Sequence, residues 1–461
     1  MTIVGGGASG RTGELMHLND GTGGKFGNPV LAHAPTGKAG IEHKDCSTEV
    51  TTQDLSAVDA TDLNGYLYIS PNNVIDATPA FKQDECVGAT DALTQYVSGA
   101  PGFAAVSSSM LDYSDMTANS FSPLPSTNAV TMCSGTVDDR TTIDPSFFST
   151  ASCKGAFASA SASDNWLAGW SWMACKGVLI GGTCSGLPAA PFRTLEDTVE
   201  ALGGDLTASK TLSASTSYLL TSQLFVKNGV TLSIPAGTTI YAIPPADSAP
   251  SVVIEQGGKI MAEGTAAAPI TMTSILAESA LDSKTDTASG GSITLGARGK
   301  WGGLIINGKA PITGGGTDMV EGLTNVPYGG TDPADNSGVL KYVRVWHGGS
   351  KIADDNEING VTFGGVGSGT LVDHCEVAFN KDGSFEFFGG TVNVKYLSVL
   401  FVGDDSFDTD EGYQGKGQFL FTMVGTEMDS SASRTSRNSK LVSSPPPPAP
   451  SPPPPIPPPP S

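Results

Sequence analysis

Charge, aromatic rings and long apolar runs are all scarce in this chain. Of its 461 residues, 15% are charged and 7% aromatic. An average domain carries about 25% charged residues, and the deficit argues against a helical surface laced with ion pairs. Basic residues number 25 against 46 acidic ones, a net charge of −21. Such a surface repels nucleic acid and suits cations or neutral glycans. The sequence has no run of about 18 apolar residues, so no membrane span is expected. The opening Met1-Thr2-Ile3-Val4-Gly5 lacks the charged and apolar regions of a secretory signal. No Asn-x-Ser/Thr sequon occurs, so N-glycosylation gives no support for secretion. Cys-x-x-Cys is also missing, which leaves zinc ribbons and thioredoxin-like motifs unsupported.

What is present points to turn-rich β structure. Glycine alone supplies 58 residues. Six of the seven cysteines lie before residue 200: Cys46, Cys86, Cys133, Cys153, Cys175 and Cys184. This even, widely spaced set fits up to three disulfides made in an oxidising compartment. Reduced, buried thiols are the alternative. Cys375 stands apart, in an apolar position that reads as core.

The stretch from Leu340 to Phe421 aligns with itself at a step of 22 residues. Phe363, Phe385 and Phe407 fall in register, as do Cys375, Leu397 and Phe419, and Val377, Val399 and Phe421. Asp382-Gly-Ser-Phe-Glu386 recurs as Asp404-Asp-Ser-Phe-Asp408. A fixed period in the low twenties, built of short β-like runs and glycine turns, marks a solenoid of stacked coils. The expected fold is all-β, a right-handed parallel β-helix over residues 203–430. Dividing its length by the period gives roughly ten coils. Residues 276–291 and 313–337 read as polar, glycine-rich insertions, which often build the binding surface of one face.

Around this solenoid three further regions are expected. Residues 1–44 read as a glycine-rich lead-in without stable structure. Their Gly5-x-Gly7-x-x-Gly10 lacks the flanking strand and helix of a dinucleotide site, so no nucleotide cofactor is expected. Residues 45–202 read as an irregular cap containing cysteine and tryptophan. Ala89–Val97 and Thr194–Leu202 have helical character, and residues 120–135 read as loop. Trp166, Trp170 and Trp172 form a dense aromatic segment. Exposed, such a row stacks on sugar rings. Buried, it packs a small disulfide-tied cap, which its large apolar load favours. Residues 431–461 form a linker and a proline-rich tail.

Several segments resemble a known family. They are Trp301-Gly-Gly-Leu-Ile-Ile-Asn-Gly, Glu357-Ile-Asn-Gly-Val-Thr-Phe-Gly-Gly, Glu386-Phe-Phe-Gly-Gly-Thr-Val-Asn393 and Asp404-Asp-Ser-Phe-Asp-Thr-Asp-Glu-Gly-Tyr413. Over residues 205–430 they resemble secreted, surface-associated bacterial proteins similar to the pectin-lyase-like β-helix superfamily. The resemblance implies an extracellular protein, mostly of a kind with no assigned activity. The tail's Ser-Pro-Pro-Pro-Pro is similar to extensin-like glycoproteins of plant and algal walls. As a polyproline II rod, it spans about 50 Å.

The acidic residues carry the candidate chemistry. Rungs about 4.8 Å apart set Asp382 over Asp404 and Glu386 over Asp408, with Asp405 and Asp410 beside them. Stacked carboxylates repel unless one is protonated, water screens them or a cation bridges them. Calcium takes six to eight oxygen ligands, which two rungs and nearby carbonyls can supply. Alternatively these side chains cap corner turns.

An enzyme is the competing reading. Gly403-Asp404-Asp405 resembles the Gly-Asp-Asp of polygalacturonase-type hydrolases, but that family's later Gly-His-Gly and Arg-x-Lys motifs are missing. A calcium-dependent lyase needs an Arg or Lys base, for which Arg344 and Lys395 are available. His347 and His374 stand alone and read as structural. The expectation is therefore a non-catalytic, wall- or matrix-associated protein that binds glycan or calcium. A polysaccharide-degrading enzyme is the alternative.

Overall fold

A computed structural model describes residues 1–5, 14–18, 24–34, 37–44, 50–52, 66–84, 96–98, 103–105, 119–126, 132–142, 144–184, 199–245, 248–276, 298–320, 323, 325–353 and 356–424. Residues Val199–Met423 build a parallel β-helix whose strands stack in three columns, or faces. Inward side chains form ladders along the axis. On the first face Ile234, Ala262, Leu340, Val372 and Val394 pair in sequence. On the second the ladder is Ile240, Met272, Val345, Val377 and Val399. On the third it is Val252, Leu304, Val361, Phe385 and Phe407. These residues meet in one buried core. Burying each large side chain contributes about 1.5–3 kcal/mol, and no coil can do so alone.

First- and second-face strands are continuous segments bent at one residue. Gly338–Trp346 bends at Tyr342, Leu371–Ala378 at His374, Asn393–Leu400 at Tyr396 and Gly417–Met423 at Phe419. All four sit in the left-handed region, with φ between 49° and 59°. Their rings stack down the corner at 4.4, 4.2 and 5.0 Å between centroids. Ring stacking and burial offset the backbone strain that a bulky residue carries there.

The register departs from a uniform 22 in places. Phe385 does stack on Phe407, and Cys375 pairs with Leu397. Phe363 instead pairs with Phe387, because that coil is two residues longer. Leu397 pairs with Leu420 and not Phe419, and Val399 with Thr422 and not Phe421. The insertions also lengthen coils. Among the described residues the third face therefore holds seven strands (beginning within Val199–Leu206 and ending at Phe407–Asp410), fewer than a length divided by 22 implies.

The N-terminal region differs most from expectation. Residues 1–44 are no unstructured lead-in. Their described parts carry five strands. Thr2–Val4 pairs parallel with Phe421–Met423 of the last solenoid strand, then with Val30–Ala32, which pairs with Val74–Ile75. Two side sheets flank this stack. The described strands up to Val97–Ser98 thus add coils beyond the solenoid's C-terminal end. Their strands are two to four residues long, too short for a period to register. Val199–Leu206 is a strand paired with Ser217–Val226, where a helix was expected. Its neighbours are strands, and lateral pairing overrides the weak helical pattern. Ser122–Pro125 likewise forms a strand within a stretch expected to be loop. Among the described residues no helix is long and apolar enough to cross a membrane.

Candidate functional site

Outward-facing positions decide what the helix presents. On the second face, the outward ladder runs Thr271, Arg344, Glu376, Ser398, Phe421 and Thr2. A segment spanning residues 144–184 covers it. Arg344 Nη1 donates to the Trp170 carbonyl at 2.9 Å, and its Nε donates to Thr271 Oγ1 at 2.9 Å. Glu376 Oε1 accepts from Trp172 N–H at 2.7 Å and Trp346 Nε1 at 3.1 Å, while Oε2 accepts from Ser398 at 3.0 Å. Burial pushes the Glu376 carboxyl up to about 7 despite these donors and the nearby Arg344. A second apolar cluster fills the seam.

The tryptophans therefore present no sugar-stacking row. Trp170 and Trp172 are buried, and Trp166 is partly so. Trp166 and Trp170 meet the corner ladder edge-on, against Tyr396 and Tyr342 at 5.6 and 5.5 Å. Disulfides Cys133–Cys153 and Cys175–Cys184 secure this covering segment. Cys46 and Cys86 lie outside the described residues. Cys375 is free and buried, and burial pushes its thiol up to about 12.

First-face outward positions alternate in sign: Glu263, Lys341, Asp373 and Lys395 pair in order. Opposite charges on adjacent rungs neutralise one another. The third face behaves differently. Its outward column runs Phe225, Val253, Ile305, Thr362, Glu386 and Asp408. The apolar half packs under the insertion carrying Ile312, Val320, Val326 and Tyr328. Beyond that cover the column turns acidic.

Glu386 and Asp408 are direct register partners, with Asp410 two residues along. Asn359 Nδ2 donates to Glu386 Oε2. Ahead of this strand, Gly403 N–H donates to Asn380 O and Ser384 N–H to Asp405 O, so Asp382 and Asp404 take matching corner positions. Asp405 is buried; the other five acids are half-buried. The hairpin Asp318–Met319/Pro327–Tyr328 adds Asp318. Burial, followed by Asp410 and Asp318, pushes the Glu411 carboxyl up. Tyr328 is also raised, first by burial and then by Glu411, Asp318, Asp410 and Glu386. Glu386, Asp408 and Asp410 thus line the strands of this face, while Asp382, Asp404 and Asp405 lie in the corner before it, and among the described residues no three of the six come within ligating reach of one another. Asn359, Asp318, Glu411 and Tyr328, which the repeat did not flag, join them. The 313–337 insertion was the signal for two of these.

The candidate bases sit elsewhere. Arg344 is held in the covered seam, and Lys395 Nζ donates to Ser149 Oγ at 3.0 Å and lies over Phe147. His347 stacks on Phe379, while His374 is clamped between Tyr342 and Tyr396 and contacts Asp373. Gly403 has a packing role: a Cβ there would lie 1.8 Å from the Lys381 carbonyl.

Three columns of stacked parallel strands define a parallel β-helix. Residues 204–447, 244 of the 461, match the family described as pectate-lyase like beta helix domain, and the chain belongs to it. No curated protein and no solved structure matches the chain.

Proposed function

We propose that this is a non-catalytic, wall- or matrix-associated protein whose third face binds calcium and, through it, glycan. The observation that carries the reading is the register pairing of Glu386 with Asp408, with Asp410 two residues along the same strand. Carboxylate oxygens on adjacent rungs, with nearby carbonyls, suit calcium. Packing of Arg344, His347 and His374 into the covered seam and corner, with Lys395 on the first face, supports a binding role over catalysis. The two disulfides support an extracellular setting. The tail, outside the described residues, would space or anchor the helix. Calorimetric titration of the full chain with calcium tests this. Binding that vanishes when Asp404 and Asp408 are changed to Asn is expected. Absence of heat in the unaltered protein overturns it.

A second reading rests on Glu411. Burial and the neighbouring Asp410 and Asp318 charges push its carboxyl up, as a general acid requires. Cleavage of polygalacturonate, lost in Glu411→Gln, would establish the polysaccharide-degrading alternative.

A further inference from the structure

The N-terminal coils hold a separate polar cluster. Strands Met16–Leu18, Ile41–Lys44 and Phe81–Asp84 form one side sheet. Their register sets His17 beside Glu42, and Glu42 beside Lys82. Glu14 reaches back from just before the first strand, its Oε1 2.7 Å from His17 Nδ1. One ligand atom from each of Glu14, His17 and Glu42 lies within 4.8 Å of the others. The site is nearly closed: the side chains of His17 and Glu14 are 9% and 11% exposed.

Two features separate this cluster from an ordinary polar patch. Both His17 nitrogens are buried; Nδ1 pairs with Glu14, whose carboxyl, though buried, it helps hold down, and Nε2 has no hydrogen-bond partner. With Nδ1 held only by this ion pair and Nε2 buried without a hydrogen-bond partner, the imidazole carries a free-energy cost. Furthermore, two carboxylates converge on it while one ammonium, that of the half-exposed Lys82, reaches Glu42 from outside.

We propose that Glu14, His17 and Glu42 bind a divalent transition-metal ion of the zinc class. An imidazole nitrogen with two carboxylate oxygens suits zinc. Ligands about 2.0–2.2 Å from a tetrahedral ion lie about 3.4 Å apart, within the observed span. Calcium, which requires six to eight oxygens, does not fit this set. Three protein ligands leave a fourth position for water. The bound ion cross-links two successive coils of the N-terminal stack and satisfies His17.

The test uses full-length protein stripped with chelator and titrated with zinc, with calcium as a control. One equivalent of zinc is expected, with a raised melting temperature and no competition by calcium. His17→Gln and Glu42→Gln are expected to lose binding. Lys82→Ala removes the competing ammonium from an exposed position and is expected to tighten it, a readout that survives if the buried variants misfold. Zinc uptake is also expected to be unchanged by Asp404→Asn and Asp408→Asn, which separates this site from the third face. No zinc uptake by the unaltered chain overturns the proposal. So does affinity unchanged in both Glu42→Gln and Lys82→Ala.

Discussion

Glu376 is the residue on which the covering segment depends. Its two oxygens accept from Trp172, Trp346 and Ser398, and the register places it next to Arg344. Removing one partner of a buried charge pair costs about 3–5 kcal/mol. Glu376→Ala is therefore expected to lose stability on that scale in denaturant unfolding followed by tryptophan fluorescence. The pH dependence has a definite sign. The folded carboxyl titrates at about 7, raised by burial from 4.5. Between those values the native state holds a proton that the unfolded chain releases, so stability falls as pH rises through this window. The melting temperature should decline from pH 5 to 8, and Glu376→Gln should flatten that decline. At this scale the sequence revealed types better than surroundings. The repeat marked Asp404 and Asp408 correctly as neighbours of Asp382 and Glu386. It carried no information on what covers the tryptophans, because the covering partner lies some 200 residues away: Trp172 and Glu376 are 204 apart.

Among the elements, the corner ladder of Tyr342, His374, Tyr396 and Phe419 ties the strands to the covering segment. Tyr396 stacks on His374 and Phe419 and meets Trp166, at a φ of 57°. Truncating such a ring costs about 3–5 kcal/mol. Alanine would also keep the left-handed strain of roughly 1–2 kcal/mol, which glycine does not feel. Tyr396→Gly should therefore melt above Tyr396→Ala, the reverse of their order in an ordinary strand. A lower melting point for the glycine variant would remove strain from the account. The inward ladders were legible because period-2 alternation is set by the pleat itself. The slips at Phe363 and Leu397 were not, since one or two extra residues in a corner change register without altering the apolar pattern.

For the whole molecule, the decisive contact is Thr2–Val4 on Phe421–Met423. It covers a strand edge that would otherwise be open to pairing with other chains. A permuted chain that starts at residue 199, runs to 447 and continues into residues 1–184 should keep the same disulfides and the same circular dichroism. A chain lacking residues 1–184 should aggregate, as seen by light scattering, through exposure of the Gly417–Met423 edge. None of this was legible beforehand, because pairing across such a distance leaves no local period.

The same contact sets an order of events during synthesis. Thr2 and its partner Phe421 are 419 positions apart (421 − 2). At about 5–20 residues per second, Thr2–Val4 leaves the ribosome roughly 20–80 s before the strand it pairs with. The solenoid can stack as it is made, but the pairing of Thr2–Val4 with Phe421–Met423 waits until the solenoid is nearly finished. Strands separated so widely in sequence pair late, and the permuted chain, which brings Thr2–Val4 close in sequence to Phe421–Met423, should refold faster.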